Sequence, residues 1–186
     1  MSFTFRLPKV VQEVGVILNQ VPEHRFNYTM LLKILYLADR ESLAEVGHPI
    51  SGDIHVAMPR GPVLSRVCDL IRQTNYVSEE QSEYWSKFFE TKRKELVLKA
   101  SPGTDHLSKY EIEKLQTLTA KHKKTLLGKM LDFVGDLPEV KKNKRGSSRK
   151  AIPLEDILVA VGREDSIAEI RQNQAEDEFL AKILGD

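Results

Sequence analysis

A chain of 186 residues has the length of one domain with room for a small appendage. Apolar residues make up 41% of it and charged residues 30%, which leaves enough Leu, Ile and Val for a core of its own. The formal charge of +1 provides no global field to draw in nucleic acid or an anionic membrane, and the single cysteine, Cys68, excludes an internal disulfide and a thiolate zinc cluster.

In chain order, Val10, Val14, Ile17, Leu18 and Val21 recur at helical spacing after Pro8 and predict a first amphipathic helix that Pro22 ends. Asn27 is placed to cap a second helix over 28–46, with Leu31, Leu32, Leu35, Tyr36 and Leu43 on its apolar face. Gly47 suits the left-handed closing position, and Pro49 prevents continuation. Ile54 to Met58 reads as a short strand, and Pro62 suits the first turn of a third helix carrying Val63, Val67, Leu70 and Ile71 inward. Tyr84 to Phe89 and Glu95 to Lys99 read as a β-hairpin that joins Ile54 to Met58 in one small antiparallel sheet. Ser108 to Glu111 is a capping box ahead of a helix running to about Lys121, and another helix covers Thr125 to Val134. Leu137 to Ile152 reads as a polar, basic loop, Pro153 opens a helix through Val161, and a last helix is expected over about Glu164 to Leu184.

The fold class that follows is mainly α with a small antiparallel β-sheet (α+β), divided as a domain over 1–162 and an acidic C-terminal helix over 163–186. That helix either packs on the domain or faces a partner. No apolar run approaches the ~18–20 residues that cross a bilayer. The opening residues, Met1 to Pro8, lack the pattern of a signal peptide, so a cytoplasmic protein is expected.

Chemistry-bearing motifs are sparse. The five histidines have no metal-ligand spacing, and neither a Gly-x-Ser-x-Gly elbow nor a phosphate-cradling Gly-Lys-Ser/Thr loop is present. Cys68 sits at helical spacing from apolar residues, as a buried, inert thiol does. Asp39, Arg40 and Glu41 form the most suggestive polar cluster, but neighbours on a helix point ~100° apart and cannot all face one substrate. Asp39 lies near the buried stripe, where it needs a cationic or N–H partner. Arg60 or the start of the third helix is the candidate, making a structural tie the favoured reading over catalysis. The run Lys141 to Arg145 with Arg149 and Lys150 is basic, but no aromatic residues are interleaved to stack bases. A solvated loop is therefore favoured over nucleic-acid binding.

The central segment resembles a known family. Leu31-Leu32-Lys33-Ile34-Leu35-Tyr36-Leu37-Ala38-Asp39-Arg40, followed by Gly47-His48-Pro49-Ile50-Ser51-Gly52-Asp53, is similar to the Panacea domain of SocA-like antitoxins and phage-associated GepA proteins. Ala57-Met58-Pro59-Arg60-Gly61-Pro62-Val63 matches the family's Gly-Pro-Val turn, and the likeness resumes at Asp136 to Glu139 and Ile152 to Leu158. It covers roughly 10–162. Relatives often carry a His just before the Asp-Leu-Pro-Glu stretch and a Trp just after it; this chain has Gly135 and Val140.

The resemblance implies an antitoxin of a toxin–antitoxin pair, which neutralises a cognate toxin by direct protein contact. It implies a partner encoded by an adjacent gene, no enzymatic activity and no cofactor or metal, and it leaves a homo-oligomer open. Nucleic-acid regulation through 141–150, or a Panacea-fold interaction protein without a toxin partner, are the alternatives. Tyr36, Asp39, Arg40, Arg60, Tyr84 and Trp85 are the candidate residues for either the structural tie or the contact surface, since aromatic and Arg side chains most often dominate binding energy.

Overall fold

Helix α2 (Tyr28–Val46) begins and ends where its flanking residues dictate. The Asn27 side-chain oxygen accepts from the N–H groups of Thr29 (2.9 Å) and Met30 (3.3 Å), two donors that a first helical turn leaves without partners. At the other end Gly47 takes φ +80°, a conformation that costs glycine little, and its N–H donates to Leu43 O. The computed structural model describes residues 3–144, 146 and 148–172. Every residue from Met30 to Asp39 is buried, so this half of α2 is enclosed on all sides. Around it pack α1 (Leu7–Leu18), α3 (Ser65–Arg72), α5 (Lys109–His122), α6 (Leu127–Gly135) and α8 (Leu154–Ala160).

Helix α1 is set as deeply, with Val10, Val11, Val14, Ile17 and Leu18 fully buried. Gly15 lets a loop approach this helix: a Cβ there would lie 2.5 Å from the Pro102 ring. Gln12 fastens the same loop, donating to Pro102 O and the Asp105 carboxylate and accepting from His106 N–H. The capping box at Ser108 and Glu111 forms as predicted, and Glu111 also receives Lys9 of α1 at 2.6 Å.

The strands form two sheets, not the single sheet expected. One has the order β1 (Arg25–Asn27), β5 (Glu95–Leu98), β4 (Phe89–Lys92); the other has β3 (Gly61–Leu64), β2 (His55–Met58), β6 (Lys150–Ala151). All pairings are antiparallel, with Val56 opposite both Val63 and Ala151. Three further expectations are corrected. Tyr84 to Phe88 is not a strand but the end of α4 (Glu79–Phe88), which a reciprocal Ser78–Gln81 capping box and two first-turn glutamates start upstream. The hairpin therefore begins at Phe89 and turns at Arg93, whose φ is +57°. Pro62 does not open α3; it lies in β3 opposite Ala57, and β3 is an edge strand, so the missing N–H breaks no ladder bond. The stretch expected as a loop over 137–152 contains α7 (Pro138–Asn143) and β6.

The main apolar cluster lies among α1, α2, α3 and the first sheet. A second cluster joins Tyr36, Leu43, Ala57, Val140, Ile152 and α8, and Ile167 and Ile170 pack against it from a helical stretch over 166–172. Phe179, Leu180 and Ile183, assigned to the last helix by their spacing, lie outside the described residues. Among the described residues no helix is long and apolar enough to cross a membrane.

Candidate functional site

The polar centre of the molecule is built on two residues of α2 that face different neighbours. Asp39 is 1% exposed. Its Oδ1 accepts from the N–H groups of Ile50 (2.8 Å) and Ser51 (2.9 Å), and its Oδ2 from the Ser51 hydroxyl and from His55 Nε2 (2.9 Å). Four donors thus satisfy a carboxylate that burial alone would penalise. Arg60, expected as its partner, is exposed at the β2–β3 turn instead. The start of α3 has its own carboxylate: Asp53 accepts from the N–H groups of Arg66 and Val67 and caps that helix from outside it. Burial pushes the Asp53 carboxyl up, while those same N–H bonds hold it down.

Asp39, His55 and Ser51 are the residue types of a nucleophilic triad, but their order differs. In such a relay the imidazole stands between the carboxylate and the hydroxyl. Here Ser51 and His55 both donate to the same Asp39 oxygen, and the serine Oγ accepts from Asp53 N–H. The Tyr36 ring covers the imidazole edge-on at 5.6 Å, so the cluster is sealed. The arrangement anchors the 50–55 segment to α2.

Tyr36 also makes a second tie. Its hydroxyl (3.0 Å) and Arg40 Nε (2.7 Å) both donate to Glu139 Oε1, and burial, then the nearby Glu139 charge, push the tyrosine hydroxyl well above its ordinary range. Glu139 is fully buried at the start of α7, with Asn143 donating to its carbonyl. The chain thus closes α7 onto α2 through one carboxylate and one guanidinium.

Of the six sequence candidates, three belong to these ties: Tyr36, Asp39 and Arg40. Trp85 is in the core against Phe89, with ring centroids 4.5 Å apart. Tyr84 is half-buried on α4, edge-on to Phe88 and beneath Lys87. Sequence reasoning singled out neither His55, Ser51 nor Glu139, although Ser51 and Glu139 lie in the motifs quoted above and His55 in the strand expected over Ile54 to Met58, because their partners are 12 to 103 positions away.

Lys33 and Glu13 are almost completely buried as well. Lys33 Nζ donates to Pro62 O at 2.8 Å, and burial lowers its amine from 10.5 to about 7. Glu13 of α1 is held well above the ordinary carboxylate range, first by burial and next by the Asp39 charge. The basic run over 141–150 is partly neutralised: Lys141 pairs with Asp136, Lys142 with Asp156, and Arg149 with Asp69. Among the described residues, no group of three or more His, Cys, Asp or Glu side chains is placed to hold a metal ion.

No curated protein and no solved structure matches the chain. The family described as "Antitoxin SocA-like, Panacea domain" matches residues 31–137, from Leu31 in the first turn of α2 to the residue before α7. That match spans more than half of the 186 residues, and it includes both Asp39 with its partners and the α2 side of the Glu139 tie. The chain belongs to the SocA-like antitoxin family, through its Panacea domain.

Proposed function

We infer that this protein is an antitoxin that neutralises a cognate toxin by binding it directly. Membership of the SocA-like antitoxin family carries the reading. The Asp39 centre agrees with it: this cluster of Asp, Ser and His side chains spends its hydrogen-bonding capacity inside the fold. In this reading the protein has no enzymatic activity and no cofactor, works in the cytoplasm, and meets a toxin encoded by an adjacent gene. Residues 1–162 act as one unit, and 163–186 form an appendage whose first part packs on the second apolar cluster. Nucleic-acid binding through 141–150 has less support, because three of its six basic residues are already paired with acids of the same chain.

Co-expression with the product of each adjacent gene tests the proposal. One product should arrest growth when expressed alone, and this chain should relieve the arrest and co-purify with it. If no adjacent gene is toxic, or if a toxic one is neither bound nor relieved, the reading fails.

A further inference from the structure

Two of the large apolar side chains most open to solvent, Tyr76 (84% exposed) and Ile54 (48% exposed), line the same cavity of about 410 Å³. Phe5, Leu70 and Val77 complete its apolar wall, and Arg66 stands at its side. A volume of this size accepts one or two side chains of a partner. A second cavity, of about 490 Å³, shares Gln81 with the first and runs beside Tyr84, so the two flank the first turn of α4.

The charges around the first cavity are unevenly matched. Arg149 makes a two-pronged contact with the Asp69 carboxylate, at 3.1 and 2.9 Å, and also reaches Ser65, so those opposite charges cancel. The N–H groups at the start of α3 are taken by Asp53. Arg66 differs: its guanidinium lies over the Phe5 ring at 5.0 Å, and among the described residues it has no carboxylate partner. Among the described residues, then, this positive charge has no paired acid beside the apolar hollow. Its planar face is held by an aromatic ring, so little side-chain freedom would be lost on pairing.

We propose that this groove, with Tyr76, Ile54 and Arg66 at its centre, is the surface that binds the toxin, and that it takes a toxin segment presenting an apolar side chain next to a carboxylate. The apolar side chain fills the hollow beside Leu70 and Val77, and the carboxylate pairs with Arg66. Aromatic and Arg anchors around a pocket are the pattern from which binding hot spots are made. The inference rests on the antitoxin reading.

The test uses the full chain and the toxic protein encoded by the adjacent gene. A photo-crosslinking phenylalanine analogue replaces Tyr76, whose exposure means that the fold does not depend on it, and a second protein carries the analogue at Phe133 on α6, outside the groove. The Tyr76 position should crosslink to a toxin peptide that contains Asp or Glu beside an apolar residue, and Phe133 should not. In titrations, Arg66→Glu and Tyr76→Ala should each weaken binding at least about tenfold, and Phe133→Ser should leave it within about twofold. Changing the mapped toxin acid to Lys should restore binding to Arg66→Glu. If the unaltered protein binds but the groove variants bind as well as it does, or the crosslinks arise only at Phe133, this inference is overturned while the antitoxin reading stands. If the unaltered protein does not bind, the antitoxin reading falls and takes the groove assignment with it.

Discussion

Lys33 occupies a position that most chains would give to an apolar residue, and its energetics depend on pH in a definite sense. Its amine titrates at about 7 in the folded protein and near 10.5 when unfolded. Between those values the unfolded chain binds the extra proton, so the residue costs most at and below about pH 7, and the cost fades as pH rises towards 10.5. Glu13 acts in the opposite direction: its raised carboxyl withdraws stability as pH rises above the ordinary carboxylate range. The two trends overlap in the unaltered protein, and a substitution at Lys33 separates them. Lys33→Met should raise stability in urea unfolding at pH 7 by up to about 4 kcal/mol, less the lost bond to Pro62, and the gain should shrink on going to pH 10. A gain of equal size at both pH values would show that the amine is not depressed.

At the scale of elements, local signals determined helix ends and missed long-range partners. Asn27, Gly47 and the Ser108–Glu111 box mark their helix ends because each acts on backbone groups within four positions. The same kind of signal, Ser78 with Gln81, was present upstream of α4, but the aromatic run at Tyr84 to Phe89 has strong strand propensity and obscured it. Pro62 shows the reverse case, since only the sheet order reveals that β3 is an edge where proline is harmless. Asp39 was legible as a buried tie, but its partners were not, because the 50–55 segment returns to α2 only through tertiary folding. Asp39→Ala would strand two buried N–H groups and an imidazole. It should lower the free energy of unfolding by roughly 3 kcal/mol or more, read from the urea midpoint, with the dependence on denaturant unchanged. A loss below about 1 kcal/mol would mean that water replaces the carboxylate and that the centre is not sealed.

The whole molecule is larger than the segment by which its family is recognised. Residues 31–137 hold most of α2 and the elements from there to α6 but omit α1, β1, the start of α2, α7, β6 and α8. Five side chains of α1 are fully buried against the rest, and α7 supplies the Glu139 that Tyr36 and Arg40 require. A fragment limited to 31–137 would expose the α1-facing side of α2 and leave Arg40 without its acid. It should therefore lack a cooperative thermal transition by circular dichroism, whereas 1–172 should keep one. A cooperative 31–137 fragment would show that α1 is an accessory rather than part of the core.

The ring N–H of His55 points at the Asp39 carboxylate, and the Tyr36 ring packs edge-on against the imidazole, which is almost wholly withdrawn from water. A proton in that setting exchanges with solvent only when the surrounding structure opens. It should therefore appear in a proton NMR spectrum as a downfield resonance that persists under solvent saturation and disappears in Asp39→Ala. Because the signal comes from the interior, it can certify that a variant altered on its outer surface, such as Arg66→Glu, has kept its architecture before any loss of binding is attributed to the surface itself.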